Sequence, residues 1–280
     1  MPTIRKAAPE DFDSVYPLFS GFQEPRPSKE EFQQLFVPRW GSDETYVGFI
    51  LEENGEAVGY LGTMFSIRDI NGRKEKFCNL NCWIVKEEYR SEGLPLLFQV
   101  LRMKDVTITN FTGNRVAAIL RKFDFKVLDK TLKILLPIPA FGNDCELIFD
   151  HPRIVQYLNA HDRRVFDDHC YLKYPFVLLK TNEGISLICY RKVKRKRLPV
   201  LEVHYLSGRG VFLKHIRHVL PSLCIRTGAV GLMLGEHSLL EASLPFSITI
   251  LQRQLRLFRS KTVAIEEMDT MYSELQILNI

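Results

Sequence analysis

The sequence predicts an α/β fold with a mixed sheet, repeated in two similar halves. Short strands and helices alternate along residues 3–137, a glycine-containing turn joins a strand to a helix near residue 90, and a similar order recurs after residue 141. The 280 residues are enough for two domains of ordinary size. A composition of 46% hydrophobic and 25% charged residues is typical of a soluble globular protein.

The first half begins with an alternating strand at 3–7 and two helices at 9–19 and 28–36, whose first turns carry acidic residues. Two hairpins follow, because the turn-forming pairs Asn54-Gly55 and Asn71-Gly72 separate apolar runs. The remainder is predicted as strand 77–85, a loop and a helix to residue 103, strand 106–110, helix 114–123 and strand 125–136.

The loop after strand 77–85 is the segment most informative about function, and it reads Tyr89-Arg90-Ser91-Glu92-Gly93-Leu94-Pro95. A strand, a glycine-containing turn and a helix direct backbone N–H groups and the positive end of the helix dipole to one point, which suits a pyrophosphate. The loop resembles the acyl-CoA-binding segment of the GNAT (Gcn5-related N-acetyltransferase) superfamily, Arg/Gln-x-x-Gly-x-Gly/Ala. Arg90 and Gly93 match this pattern, whereas Pro95 departs from it and lacks an N–H donor.

The element order over residues 3–137 is also similar to that of GNAT proteins. The resemblance implies two tandem GNAT-like domains: an acyl-CoA-binding domain at 1–140, and a more degenerate one at 141–280 with an acceptor-site or structural role. Proline and glycine at 137–144 interrupt the periodicity and indicate the junction. The implied cofactor is acetyl-CoA or another acyl-CoA. The implied cofactor-binding residues are Val85, Arg90, Ser91, Glu92, Gly93 and Leu94.

The resemblance implies an acyl-CoA-dependent N-acyltransferase, in the first instance an acetyltransferase, acting on an amino group of a small molecule such as an amino sugar or amino acid. Its usual acid–base residues are missing. Asn79 and Asn81 are the polar residues on strand 77–85, and neither accepts a proton, so Asn81 is a candidate for polarising a substrate carbonyl or holding a water. Leu120 and Asp124 stand where the resemblance implies a tyrosine and a glycine.

The second half carries the other candidate catalytic residues. Glu202 and His204 alternate on a predicted strand, 200–206, and Glu236 and His237 end the next one, 230–234. If these strands are parallel, the four side chains converge at one cleft, where a histidine beside a carboxylate suits general base catalysis. Glu202, His204 and Asn81 are therefore the predicted catalytic residues, and an ordinary core or surface role for the histidines is the alternative.

The remaining elements of the second half are predicted in the same order as those of the first half. Strands 175–180 and 185–190 flank a turn, and a helix at 211–220 precedes strand 230–234. Amphipathic segments 153–160 and 250–258 are predicted as helices, and 271–278 as a strand.

Six basic residues lie within seven positions: Arg191, Lys192, Lys194, Arg195, Lys196 and Arg197. The net charge is +5 and this run contributes six positive charges, so the rest of the chain is nearly neutral. The run predicts a local patch, which is a solvated hairpin tip, a site for an anionic substrate or a contact for RNA. Nucleic acid is the less favoured partner, because Tyr190 is the only aromatic residue beside it.

Two other function classes remain open from the sequence. The departures at Pro95, Leu120 and Asp124 favour a non-catalytic GNAT scaffold used for binding, and the basic run allows an aminoacyl-tRNA-dependent transferase. The six scattered cysteines predict reduced thiols and no metal site, with the acids and histidines at 161–169 as the metal-binding alternative. No long apolar run or signal-peptide core is present, so a cytoplasmic protein without a membrane span is expected.

Overall fold

The computed structural model describes residues 2–22, 26–138, 145–172, 174–239, 244 and 246–279. Its contacts divide the chain into two compact units, each made of separate segments. Unit 1 comprises Met1–Lys126, Arg256–Ala264 and Tyr272–Ile280, and unit 2 comprises Val127–Leu255 and Ile265–Met271. The predicted junction at 137–144 lies mostly outside the described residues. The division into 1–140 and 141–280 stays a prediction, and neither unit is one continuous segment.

Unit 1 is a sheet in the order β1-β2-β3-β4-β5, with helices along it. Neighbouring strands are antiparallel except for the parallel pair β4 and β5. The strands are β1 (Thr3–Ala7), β2 (Gly48–Glu53), β3 (Glu56–Ile70), β4 (Arg73–Val85) and β5 (Val106–Thr112). The helices are α1 (Phe12–Val15), α2 (Lys29–Gln33), α3 (Gly93–Leu101) and α4 (Asn114–Leu120), with 3-10 helices at Pro9–Asp11, Tyr16–Gly21, Gln34–Phe36, Glu87–Glu92 and Arg121–Phe123.

The two predicted hairpins of unit 1 are confirmed. Asn54 and Gly55 have φ of 52° and 79°, and Asn71 and Gly72 have 52° and 80°. Both pairs occupy the left-handed region that two-residue hairpin turns require, so β2–β3 and β3–β4 pair antiparallel as expected.

An aromatic cluster holds the first helices of unit 1 against its sheet. Phe36 stacks on Tyr60 of β3 with ring centroids 5.3 Å apart, and Phe19 contacts Phe32 at 4.6 Å. The buried Tyr60 hydroxyl donates to the backbone oxygen of Val47 at 2.8 Å, so its polar end is satisfied.

From residue 145 the chain repeats the order of elements seen over residues 3–135: a strand, two helices, three antiparallel strands, a helix, a parallel strand, a short helix and a strand. The last strand of the first run belongs almost entirely to unit 2. The strands are β6 (Lys126–Leu135), β7 (Cys145–Ile148), β8 (Phe176–Thr181), β9 (Ile185–Arg195), β10 (Leu198–Leu206), β11 (Leu232–Gly235) and β12 (Ser247–Arg259). The helices are α5 (His151–Val155), α6 (Ala160–His169) and α7 (Arg209–Thr227), with 3-10 helices at Glu236–Leu239 and Ile265–Glu267.

The sheet of unit 2 has the order β7-β8-β9-β10-β11-β6, and residues 247–255 of β12 lie beside β6. β10 and β11 are parallel, whereas β11 and β6 are antiparallel. The apolar face of α7 covers this sheet through Phe212, Val219 and Leu223, which are fully buried. The helix is longer than predicted and ends at Gly228, whose φ of 65° provides a left-handed C-terminal cap.

Two predictions for the end of the chain are wrong. The segment 250–258, predicted as a helix, lies in β12, because pairing with a neighbouring strand outweighs a short local pattern. The segment 271–278, predicted as a strand, contains the helix α8 (Glu274–Leu278) of unit 1, which begins with a capping box between Ser273 and Gln276. Among the helices described, none is long and apolar enough to cross a bilayer.

Candidate functional site

The parallel strands of unit 1 separate at their carboxyl ends. The paired positions run from Lys76 and Val106 to Leu80 and Asn110. Beyond Leu80, β4 remains paired with β3 but a bulge interrupts the ladder, and Cys82 has a φ of 45°. Residues 81–85 of β4 therefore have no ladder partner on the β5 side among the described residues. We call this gap between the carboxyl ends of β4 and β5 the opening.

Asn81, a predicted catalytic residue, lies at the start of this opening. It is 4% exposed, and neither its amide nitrogen nor its amide oxygen has a hydrogen-bond partner among the described residues. Gly62 lies opposite on β3, where a Cβ would be 2.1 Å from the Asn81 Oδ1 atom. Because a buried unpartnered amide is destabilising, this side chain is a candidate binding group for a ligand or a water.

A carboxyl group that sequence reasoning missed contacts the same strand through Asn79. The Asn79 amide donates to Glu274 Oε2 at 2.5 Å, and the Thr109 hydroxyl donates to Asn79 Oδ1 at 3.0 Å. Glu274 is 7% exposed, and burial raises its pKa to about 7 even though the Asn79 hydrogen bond opposes the shift. Burial raises the pKa of the nearby Cys82 thiol, and the charge of Glu274 raises it further. A proton-accepting group thus lies beside the opening of β4 and β5.

Glu274 comes from α8, almost two hundred residues after β4 in the sequence. The Ser273 and Gln276 pair was a detectable signal for a helix start, but no local pattern indicates which strand this helix contacts. The carboxylate that β4 itself lacks is therefore supplied by a distant segment of the same unit.

The predicted cofactor loop occupies the expected position between β4 and α3, but it is a 3-10 helix, Glu87–Glu92. Its N–H groups take part in local hydrogen bonds, with Tyr89 donating to Lys86 and Gly93 to Arg90. The exposed Arg90 guanidinium lies 3.3 Å from the Glu87 carboxylate. In this conformation, fewer backbone donors than predicted are available to a phosphate.

The other predicted residues of this loop differ in exposure. Ser91 and Glu92 lie in the last turn of the 3-10 helix, and Leu94 is 39% exposed in the first turn of α3. Gly93 has an ordinary helical φ of −70°, and a Cβ there would be in normal contact, 3.5 Å from Val85. The glycine is thus not required by the backbone in this conformation.

A cavity of about 440 Å³ adjoins the end of β4. Val85, one of the predicted cofactor residues, lines it together with Ile84 and Lys86, and the opposite walls are residues of the first helices and of the β2–β3 turn. Pro17 and Gly21 are among them. The volume is that of a small-molecule site.

The predicted catalytic residues of unit 2 make internal contacts. Glu202 is 7% exposed and lies 3.5 Å from the Arg191 guanidinium of β9. His204 is 4% exposed, and its Nδ1 lies 3.0 Å from the Thr270 hydroxyl. A bulge between Val203 and Tyr205 interrupts the alternation of β10, so the two side chains engage different partners.

Glu236 and His237, which were expected at the same cleft, contact β6. The His237 N–H and Nδ1 lie 3.0 and 2.8 Å from the two carboxylate oxygens of Asp129, and Glu236 accepts a hydrogen bond from Thr131. These contacts hold Glu236 and His237 against β6, away from the partners of Glu202 and His204, whose catalytic role stays a prediction.

The acids and histidines of α6 have structural contacts. Asp162 accepts hydrogen bonds from the Tyr205 and Ser207 hydroxyls at 2.6 and 3.0 Å, and His169 Nδ1 lies 2.9 Å from the Val165 oxygen. Within the part of the chain that is described, no group of three or more His, Cys, Asp or Glu side chains is placed to hold a metal ion. The six cysteines are free thiols.

Several solved structures share this architecture. A probable N-acyltransferase from Enterococcus faecalis V583 has a TM-score of 0.61 at 12% identity, over 91% of this chain and 72% of that one. A GCN5-related glucosamine N-acetyltransferase region of a fungal multi-domain GH3 beta-N-acetylglucosaminidase has a TM-score of 0.59 at 12% identity. The match covers 92% of this chain and 38% of that one. A GCN5-related N-acetyltransferase from Anabaena variabilis ATCC 29413 has a TM-score of 0.57 at 10% identity. The match covers 92% of this chain and 72% of that one.

Comparison with models of known families finds no match, and neither does comparison with curated proteins. At identities of 10 to 12%, the solved structures establish the fold and not the activity. The element order and the parallel pair β4 and β5 agree with the resemblance found in the sequence. The chain has the fold of the GCN5-related N-acetyltransferases.

Proposed function

We propose that the protein is an acyl-CoA-dependent N-acyltransferase that transfers an acyl group, in the first instance acetyl, to an amino group of a small molecule such as an amino sugar or amino acid. The observation that carries the proposal is the polar opening of unit 1. There the unpartnered amide of Asn81 lies on β4, and the carboxyl group of Glu274, from α8, accepts a hydrogen bond from Asn79 of the same strand, near the point where β4 and β5 separate.

An acyl-CoA supplies an acyl group activated as a thioester, and the residues present fit part of it. The open backbone of 81–85 suits an extended chain carrying amides, since its ladder groups on the β5 side lack a strand partner among the described residues. Arg90 and the first turn of α3 would receive the phosphates, with Ser91 to Leu94 as the predicted contacts. Pro95 removes one donor there.

Glu274 would act as the general base. With a pKa of about 7, its carboxyl group is ionised above neutral pH and can take a proton from an ammonium group on the acceptor. Asn79 keeps the carboxyl oriented, because its own amide oxygen accepts from Thr109. Asn81 would hydrogen-bond the substrate amide or carbonyl.

An amino sugar is one acceptor class to test first. The fungal region of similar fold is a glucosamine N-acetyltransferase, and the cavity next to Val85 has the volume for a compound of that size. A cytoplasmic location is part of the same proposal.

The test is release of free thiol from acetyl-CoA in the presence of a panel of amino sugars and amino acids. We expect acceptor-dependent thiol release whose rate rises with pH through about 7 and is reduced at least a hundredfold by Glu274→Gln. Glu10→Gln is the matched control, because Glu10 is an exposed carboxylate of the same unit. A Glu274→Gln variant with unchanged rate and pH profile would contradict the assignment of the base.

A non-catalytic binding scaffold is the second candidate, favoured by one observation. The N–H groups of Tyr89 and Gly93 are already bonded within the loop, and Pro95 has none. Calorimetric titration with CoA and acetyl-CoA separates the two functions. Micromolar binding that Gly93→Trp abolishes supports the enzyme, whereas no binding by the parent protein favours the scaffold.

A further inference from the structure

We propose that the tip of the β9–β10 hairpin and the adjoining end of α7 form a surface of unit 2 that binds membranes containing anionic lipids. We call residues 194–198, Ile225 and Val230 the basic face. This inference concerns a surface outside the site described above and does not rest on the proposed acyltransferase activity.

The cations of the basic face are available for a partner. Lys194, Lys196 and Arg197 are exposed and Arg195 is half-buried. By contrast, Arg191 lies 3.5 Å from Glu202, and Lys192 donates to the Thr227 oxygen at 2.6 Å. Among the described residues, no carboxylate forms an ion pair with the four cations at 194–197. Four cations without a carboxylate partner among the described residues thus lie together at the hairpin tip.

Exposed aliphatic residues lie in the hairpin, in the last turn of α7 and in the segment that follows it. Leu198 is 54% exposed, Ile225 83% and Val230 38%. The Val230 N–H donates to the Pro199 oxygen at 2.8 Å, which places residue 230 against the hairpin. The Lys192 contact with Thr227 brings the last turn of α7, with Ile225, to the same hairpin.

Clustered cations and exposed aliphatic side chains match the two components of an anionic bilayer surface. Lysine and arginine are attracted to the negative headgroups, and aliphatic side chains enter the boundary with the acyl chains. Stable association needs both contributions, because one alone gives only marginal binding. Single-stranded nucleic acid would instead require aromatic side chains for base stacking, and Tyr190, the aromatic residue beside the run, is 5% exposed.

The first experiment is co-sedimentation of the full chain with vesicles of phosphatidylcholine, with or without phosphatidylserine. We expect binding only when phosphatidylserine is present, falling as salt is raised. A variant with Lys194, Arg195, Lys196 and Arg197 changed to Gln should bind roughly six hundredfold more weakly, at about fivefold for each of the four cations. Lys196→Gln alone should lose about fivefold, and this keeps the test valid if the quadruple variant does not fold.

The matched control carries four Gln substitutions at exposed cations of unit 1: Lys104, Arg121, Lys122 and Lys126. It changes the net charge equally and should retain vesicle binding. Equal losses in both quadruple variants, or no binding by the parent protein, would overturn the proposal. Salt-sensitive binding of single-stranded RNA that the hairpin variant loses, without vesicle binding, would also overturn it and assign the hairpin to nucleic acid.

The apolar component has a separate readout. The chain has two tryptophans, so Ile225→Trp adds a reporter whose emission is obtained by difference from the parent protein. Vesicle addition should shift this emission to the blue and make it accessible to quenchers in the acyl chains. Vesicle binding without any change in this emission would show that Ile225 does not enter the bilayer and would contradict the proposed surface.

Discussion

The two halves of the chain repeat one order of elements but differ in the polar residues beside their parallel strand pairs. In unit 1, β4 and β5 separate after Leu80, and the buried amide of Asn81 has no partner among the described residues. In unit 2, β10 also has a bulge, but Glu202 and His204 are hydrogen-bonded or ion-paired to neighbouring side chains. The same backbone plan therefore supports an open polar site in one unit and polar side chains that contact one another in the other.

The start of the helix after the bulged strand differs as well. In unit 1, a 3-10 segment precedes Gly93, whose φ is −70°. In unit 2, Gly208 has a φ of 55°, and a Cβ there would lie 2.1 Å from the backbone oxygen of Ile185. One glycine is replaceable as far as the backbone is concerned, whereas the other is required by conformation and by close packing.

The largest expected effect tests this difference between the glycines. Gly208→Ala should lower the free energy of unfolding by about 3 kcal/mol, because it combines a left-handed conformation with a backbone clash. Gly93→Ala should change it by less than about 1 kcal/mol. Urea denaturation of both variants checks the prediction, with Gly210→Ala, whose Cβ would meet nothing within 4 Å, as the control in α7. Similar losses for Gly208 and Gly93 would remove the distinction.

The second prediction concerns the pH dependence of stability. Burial raises the pKa of Glu274 from its ordinary value of 4.5 to about 7, so within this range the folded state binds a proton that the unfolded state has released. The free energy of unfolding should therefore fall as the pH rises from about 4.5 to about 7, by on the order of 3 kcal/mol in all. Denaturation at pH 5 and pH 8 should show this slope in the parent protein and in Glu10→Gln, but not in Glu274→Gln.

The third prediction sharpens the contrast between the open site of unit 1 and the polar contacts of unit 2. Asn81→Leu removes a buried amide without a described partner, so it should raise the free energy of unfolding by about 1 to 2 kcal/mol while weakening acyl-CoA binding. Thr270→Val, which removes the hydroxyl beside His204 Nδ1, should lower it by about 1 kcal/mol. Denaturation and calorimetric titration check both. A destabilising Asn81→Leu would mean that the amide has a structural role.

The smallest expected effect is on the loop before α3. Arg90 and Glu87 are 71% and 83% exposed, so Arg90→Ala should change the free energy of unfolding by less than about 0.5 kcal/mol. If Arg90 receives a phosphate, the same variant should weaken CoA binding about tenfold. Thermal unfolding and titration separate the two roles, and a stability loss larger than the affinity loss would assign Arg90 to the fold.

Local patterns in the sequence predicted most of the strands and turns. The Asn-Gly pairs at 54–55 and 71–72 were sufficient for the hairpins, because the left-handed turn conformation depends on those residues alone. The same reasoning failed for β12 and α8, where the local pattern is weak and a tertiary partner selects the conformation. The sequence identified Asn81 as a candidate from its place on β4, but it did not predict that the amide of this side chain has no hydrogen-bond partner among the described residues.

The sequence by itself therefore determined the order of elements, the resemblance to the GNAT fold and the concentration of charge at 191–197. These follow from interactions between residues that are close in the chain. Tertiary structure alone decided that Glu274 contacts Asn79, that burial raises the pKa of its carboxyl group, and that Glu202 and His204 have other partners. Hydrogen bonding and burial depend on distant segments folding against each other, and no local pattern records which segments meet.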